Sequence, residues 1–270
     1  MYEAFFGLSR KPFSAAPDPS MYMPSAASEK AFKRLTYAAG ENIGGFLLSG
    51  PAGCGKTLLL ERLAQTRAAA QEFLFIRAGR MDGDMMAAAL LRSAELPVAY
   101  SCSFDRNDAL ERVGAHLAGK ASAGKRLTII IDGAEWIDND GLSVLEMLND
   151  QRRNGTFLAT FILCGRESTA TRILSLPGLR DRLALAARVE PLDAPGCSEY
   201  VAGRCAAAGS GQTLFDEEAL SHVFLYSKGV PRRVNRVADL ALLTAFGLEK
   251  PVVDYEVMQA VVEEMSQDPM

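Results

Sequence analysis

Eight consecutive residues, Gly50-Pro51-Ala52-Gly53-Cys54-Gly55-Lys56-Thr57, set three glycines, a lysine and a hydroxyl at the spacing G-x-x-x-x-G-K-T. Glycines let successive backbone N–H groups turn toward one centre, and such a concavity accepts the oxygens of a phosphate. A helix opening at the lysine adds the partial positive charge of its N-terminus. In that arrangement the cradle runs from Gly50 to Leu58, Lys56 reaches the β- and γ-phosphates of a nucleoside triphosphate, and the Thr57 hydroxyl ligates magnesium. The alternative is a glycine-rich turn that only caps a helix. Against it stand the apolar run before the motif and the helical pattern after it.

Further groups fall where such chemistry needs them. Asp132 ends the apolar run Leu127–Asp132, where an aspartate holds magnesium directly or through water. The next residue is Gly133, which can neither orient nor polarise an attacking water. Glu135 lies two residues on and, on an extended backbone, projects to the side that residue 133 would; Asp138 and Asp140 are weaker substitutes. Arg166 follows the run ending at Gly165, a place facing the γ-phosphate, where a cation would stabilise charge on phosphoryl oxygens. It could equally pair with a neighbouring carboxylate. Arg182, with Arg180 second, is the candidate for insertion into a neighbouring copy's site, the other reading being a solvated helix face. Arg232 opens a helix after Gly229 and Pro231 and could fold over the phosphates. Arg233 and Arg236 could instead form a small basic patch.

The elements that must position these residues are read from periodicity. Apolar runs at Gly44–Gly50, Glu72–Gly79, Leu127–Asp132, Thr156–Gly165 and Ala184–Leu192 predict five strands. Helical patterns lie between them, at 56–70, 83–95, 105–120 and 142–149. Continuously apolar strands alternating with helices imply a parallel sheet covered on both faces, an α/β fold. After Leu192 only helices are predicted, at 195–208, 216–227, 231–247 and 254–266. The expected organisation is an N-terminal arm and helix over residues 1–40 packed on the core, an α/β nucleotide-binding domain over 41–192, and a small all-helical lid over 193–270.

Composition narrows the function classes. The 270 residues carry a net charge of −4, so no global basic field draws the chain to nucleic acid. Five cysteines without a Cys-x-x-Cys pair, and histidines only at His116 and His222, argue against zinc and for reduced thiols in the cytosol. No run of about 18 apolar residues is long enough to span a membrane.

The motifs together resemble the AAA+ ATPases of the general secretion pathway protein A (ExeA-like) type. The resemblance runs over nearly the whole chain, through "MYEAFFGLSRKPFSAAPDPSMYM", "GPAGCGKT", "LTIIID", "ILCGRES", "LPGLRDRL" and "LFDEEALSHVFLYSKGVPRRVNRVADLALLTAF". It implies a P-loop fold of AAA+ type, binding of ATP or ADP with Mg2+, and homo-oligomers with nucleotide at subunit interfaces. It also implies a protein partner in a secretion or cell-envelope machine, and an arm near the nucleotide base at Phe13 and Pro17–Pro19. Lys56, Thr57, Asp132, Arg182 and Arg232 match the family's functional positions. Two positions depart: Asp132-Gly133-Ala134-Glu135 replaces Asp-Glu-Ala-Gln, and Gly165-Arg166 replaces Gly-Gln. Both lie at the expected γ-phosphate, so slow hydrolysis is expected, or a switch that binds ATP without hydrolysing it. A DNA-bound ATPase of the transposition type is a third reading, which the acidic balance disfavours.

Overall fold

The computed structural model describes residues 1–14, 18–98 and 104–267, with the side chains of the last two left aside. In chain order the helices are α1 Tyr2–Phe5, α2 Ala26–Glu41, α3 Lys56–Arg67, α4 Gly83–Ser93, α5 Arg106–Ser122, α6 Asn139–Asn149, α7 Glu167–Leu174, α8 Pro177–Arg180, α9 Ala194–Ala207, α10 Glu217–Ser227, α11 Pro231–Gly247 and α12 Tyr255–Gln267. The strands are β1 Gly45–Ser49, β2 Gln71–Arg77, β3 Arg126–Asp132, β4 Arg152–Arg153, β5 Thr156–Phe157, β6 Thr160–Gly165 and β7 Leu183–Arg188. Among the described residues no helix is long and apolar enough to cross a membrane.

The chain forms two compact units. The sheet unit comprises Lys30–Gly50 and Leu59–Val189. Its five parallel strands run in the order β2-β3-β6-β1-β7. The middle strands explain their apolar sequences: every residue of β6 is buried, as are five of the seven in β3. The edge strand β7 alternates half-exposed and exposed residues along most of its length. This is the parallel α/β sheet that the run spacing predicts.

One expected strand is divided. The run Thr156–Gly165 reads as continuous, yet Thr156–Phe157 turns back to pair antiparallel with Arg152–Arg153. Asn154 and Gly155 between them have φ of 51° and 77°. Two consecutive positive φ angles fit the twist of a two-residue hairpin, which an Asn-Gly pair adopts readily. Only Thr160–Gly165 then joins the sheet.

The loop-and-lid unit comprises Met1–Glu29, Pro51–Leu58 and the chain from Glu190 on. Residues 1–40 were expected against the α/β core. Residues 1–29 instead belong to this unit, and Tyr2, Phe6, Leu8, Phe13 and Met21 are buried in one apolar cluster with Val201, Cys205, Phe215 and Val237. Each large apolar side chain so buried contributes roughly 1.5–3 kcal/mol. The Arg204 guanidinium, 5% exposed, donates from Nε to the Pro12 carbonyl (2.6 Å) and from Nη1 to the Met21 carbonyl (2.9 Å). A buried cation needs such partners, and here the arm supplies them.

Candidate functional site

The glycine-rich loop has the backbone its sequence calls for. Gly53 and Gly55 adopt φ of 87° and 85°, a region L side chains rarely occupy. Nothing lies within 4 Å of a Cβ built on Gly55, so that side of the loop is open. The Lys56 ammonium donates to the Pro51 carbonyl at 2.9 Å, which holds it across the loop it belongs to. α3 begins at Lys56, so its N-terminal N–H groups follow the loop directly.

The start of α11 is bonded to this loop. Arg232 N–H donates to the Gly53 carbonyl at 3.2 Å. A Cβ on Gly53 would stand 2.8 Å from the Arg232 Cβ and 3.1 Å from a Val230 methyl. Glycine is therefore needed at 53 for both its φ and the close approach. Arg232 itself is exposed, as are Arg233 and Arg236. The turn before it is tight: Gly229 has φ 68°, and a Cβ there would meet the Leu192 carbonyl oxygen at 1.9 Å. Val230 and Leu192 carried no chemical signal in the sequence; their part is to seat the helix.

A second group of predicted residues gathers at the C-terminal ends of the strands in the sheet unit. Ser49 pairs with Gly165 and Asp132 with Cys164, so β1, β3 and β6 end along one edge. Gly50 leaves that edge directly into the loop sequence. The Asp132 carbonyl accepts from Ala78 N–H at 2.8 Å, and Gly133 N–H donates to the Cys164 carbonyl at 3.0 Å.

The backbone after Asp132 is not extended, contrary to the expectation for Glu135. Gly133 has φ 88° and ψ 36°, and Ala134–Trp136 form one turn of 3-10 helix. The turn nevertheless sends the Glu135 side chain to the end of β6. Its Oε1 lies 3.3 Å from Arg166 Nε. Its Oε2 is shielded from solvent without a hydrogen-bond partner, and a Cβ on Gly165 would lie 3.2 Å from it. Arg166 immediately precedes α7 and is largely exposed, while the next residue, Glu167, pairs with Arg188 at 2.6 Å. The pairing reading of Arg166 thus has a named carboxylate, and Arg188 is a cation at this edge that sequence spacing did not single out.

Other candidates are committed elsewhere. Asp138 caps α6, accepting from Gly141 N–H at 2.8 Å. Asp140 accepts two bonds from Arg106, both 2.8 Å, and Arg106 also bonds Asp84 at 2.6 Å. The Arg106 bonds hold the Asp140 carboxyl below the usual carboxylate range. Arg182 stands before β7, at the opposite end of the strands. Its Nε donates to Asp150 at 2.7 Å, its Nη2 also bonds Asp150, and its Nη1 donates to the Gly178 carbonyl at 2.5 Å and lies 3.1 Å from Glu146. The Arg182 bonds lower the Asp150 pKa in turn. Arg180 is more exposed and, among the described residues, pairs with its neighbour Asp181 at 3.0 Å. Phe13, expected beside a nucleotide base, is 2% exposed and packs edge-on against Phe215. Of its companions, Pro17 lies outside the described residues and Asp18 caps the turn Pro19–Met21.

Residues 29–162 match the family described as AAA ATPase domain. The chain is 29% identical over 253 residues to General secretion pathway protein A of Aeromonas hydrophila, which covers 91% of this chain and 45% of that relative, so it spans about half of the relative's length. Among solved structures, Cdc6p from Pyrobaculum aerophilum superposes with a TM-score of 0.70 at 17% identity, covering 93% of this chain and 70% of that one. The ORC2 protein of Aeropyrum pernix in its ADPNP–ADP complexes gives 0.68 at 16% identity, covering 95% and 71%.

Proposed function

From the match of residues 29–162 to the family described as AAA ATPase domain and the likeness to General secretion pathway protein A, we propose that the chain binds Mg-ATP and hydrolyses it slowly. The observation that carries the binding half is the loop itself. Two left-handed glycines stand in a G-x-x-x-x-G-K-T sequence between β1 and α3, with a free approach to Gly55. Backbone N–H groups from Gly50 to Leu58 receive the phosphates, and Lys56 exchanges the Pro51 carbonyl for phosphoryl oxygens. Thr57 and Asp132 are the donors suited to magnesium, a hard cation that takes hydroxyl and carboxylate oxygens; bound, it neutralises phosphate charge. Arg232, tied through its backbone to Gly53, is the residue by which the lid senses the phosphates.

In the chemical step, a water attacks the γ-phosphorus and passes its proton to Glu135. The bond to the β–γ bridging oxygen breaks, giving ADP and phosphate. Glu135 carries the base role because its Oε2 is shielded and unpartnered at the end of β6. Turnover is slow because the carboxylate starts from a 3-10 turn rather than from position 133, and because Arg166 must be drawn off it. Arg180, less encumbered than Arg182, is the better arginine to complete a neighbouring copy's site in a homo-oligomer. The chain works on the cytoplasmic side, where ATP is supplied, coupling nucleotide state to a protein partner in a secretion or envelope machine. Calorimetric titration of Mg-ATP, with phosphate release measured alongside, tests this reading. The parent binds and turns over; Lys56→Ala loses at least tenfold in affinity, the worth of a charge-assisted contact of about 1.5–3 kcal/mol. Equal binding by both would end the proposal.

A second reading rests on the Glu135–Arg166 pair. If Arg166 stays on Glu135 when ATP is bound, the chain is a switch that holds ATP without hydrolysing it. Tight binding with undetectable phosphate release would favour that reading.

A further inference from the structure

The opposite end of the sheet unit carries a feature that the nucleotide reading does not use. β3 starts at Arg126, and the hairpin β4–β5 stands just before β6. Between the hairpin and the C-terminal end of α5 lies a cleft of about 360 Å3, whose lining includes Asn42, Lys125, Arg126, Arg153, Thr156 and Phe157 and no carboxylate. Arg152 adds a fourth cation, its guanidinium 4.5 Å from the centre of the Phe157 ring.

These cations are not needed to hold the fold together electrostatically. All four are exposed. Among the described residues none has a carboxylate oxygen in ion-pair range, and Asp150, whose carboxyl feels Arg152, is already bonded by Arg182. Nor do they cap α5. Its last carbonyls are taken by backbone N–H groups: Ala123 to Gly119, Gly124 to Ala121 and Lys125 to Lys120. Two of the arginines are steadied by neutral oxygens, Arg126 by the Gly40 carbonyl and Arg153 by the Ser122 hydroxyl. The hairpin is closed by its Asn-Gly turn, so Arg152 and Arg153 sit side by side on a short paired strand. In a chain of net charge −4 this is a concentrated, unneutralised positive cleft.

We infer that this cleft, lined by Lys125, Arg126 and Arg153 and flanked by Arg152, binds the phosphate backbone of nucleic acid. Three of the four cations are arginines, whose planar fork matches phosphate oxygens. Duplex DNA presents one negative charge per ~1.7 Å of its axis, a density that rewards several clustered cations at once. None of the large exposed apolar side chains belongs to this cleft, so it lacks the wedge that a membrane surface would take up. Asn42 and Thr156 add neutral donors and acceptors of the kind that bond phosphate and sugar, the contacts that position nucleic acid rather than specify its sequence. The inference does not rest on the nucleotide reading, whose strand-end residues Asp132, Glu135 and Arg166 lie at the other end of the sheet.

The test is fluorescence anisotropy of a labelled 30-base-pair DNA duplex titrated with the full chain, without nucleotide, between 50 and 200 mM salt. The parent binds, and log K falls with log salt with a slope of about −3 to −4, near 0.9 per neutralised phosphate. The combined variant Lys125→Ala, Arg152→Ala, Arg153→Ala weakens binding at least tenfold at 50 mM salt while still binding Mg-ATP like the parent. Lys125→Ala alone, which removes a side chain outside the hairpin, makes the slope shallower by about 0.9 and decides the matter if the combined variant does not fold. Lys56→Ala binds the duplex like the parent, which separates this site from the nucleotide site. The inference is overturned if the parent does not bind, if Lys125→Ala leaves affinity and slope unchanged, or if polyglutamate or anionic vesicles compete as well as DNA at equal charge.

Discussion

The glycine-rich loop and the charged cluster at the ends of β3 and β6 are built by different means. The loop is made of contiguous residues, and its geometry follows from positive φ angles at Gly50, Gly53 and Gly55 and one backbone bond to the start of α11. The strand-end cluster joins residues 31 positions apart, Glu135 and Arg166, through a 3.3 Å ion pair between partly exposed side chains. A pair of that kind is worth about 1 kcal/mol or less. The loop is thus fixed by backbone geometry and suited to holding a ligand. The cluster is held weakly and can exchange partners. The difference teaches that affinity and turnover should respond to different substitutions in this molecule.

The largest expected effect is on the loop. Gly53→Ala adds a Cβ 2.8 Å from that of Arg232 at φ 87°. The left-handed conformation alone costs about 1–2 kcal/mol, so Mg-ATP affinity measured by calorimetry falls roughly five- to thirtyfold. An unchanged affinity would show that the loop need not keep this shape to bind. Next is Arg166→Ala, which frees Glu135 but removes a cation from the γ-phosphate edge. Phosphate release is expected to change about three- to tenfold with affinity held within twofold. A rise marks Arg166 as a restraint on Glu135, a fall marks it as a stabiliser of the phosphoryl group, and a large loss of affinity would blur the contrast between the two regions.

Smaller effects sharpen it further. Gly133→Ala puts a side chain at φ 88° with its Cβ 3.2 Å from the Ala78 carbonyl oxygen. Thermal or denaturant unfolding should show a loss of about 1 kcal/mol. For the same reason Gly133→Glu, despite matching the resembling family, is not expected to raise turnover. Asp140→Asn leaves binding and turnover alone. Its carboxyl is held below the ordinary range by Arg106, so the bonds favour folding above the unfolded pKa near ~3.9 and that contribution is lost as pH falls through the lower folded value. The gap in melting temperature between parent and Asp140→Asn should therefore be present at pH 7 and close toward pH 3.

Which of these features could be read from the sequence depends on how local their physics is. The loop, α3 and the strand before it were legible because G-x-x-x-x-G-K-T fixes φ, charge and hydroxyl within eight residues. The strands β1, β2, β3 and β7 were legible as short apolar runs, and the helices after Leu192 as periodic ones. The hairpin was not, because Phe157 and Leu158 read on into the apolar run of β6, while the Asn154-Gly155 turn that folds Thr156–Phe157 back onto Arg152–Arg153 lies just upstream of that run. The extended path to Glu135 was a poor guess because Gly133 permits a left-handed turn that an ordinary residue would resist. Arg182 was read as available because its carboxylate partners Glu146 and Asp150 are distant from it in sequence. The arm's aromatic residues were visibly ordered, but α9–α12 as the place that buries them could be found only in three dimensions.

The contrast between the two regions is tested most directly by Glu135→Gln, with Mg-ATP affinity and phosphate release measured on the same preparation. The substitution keeps the shape of the side chain and removes the carboxylate that takes the proton, so affinity should stay within twofold while release falls at least tenfold. Release equal to the parent's, or a parallel loss of affinity and release, would contradict the assignment of binding to the loop and of chemistry to the strand ends.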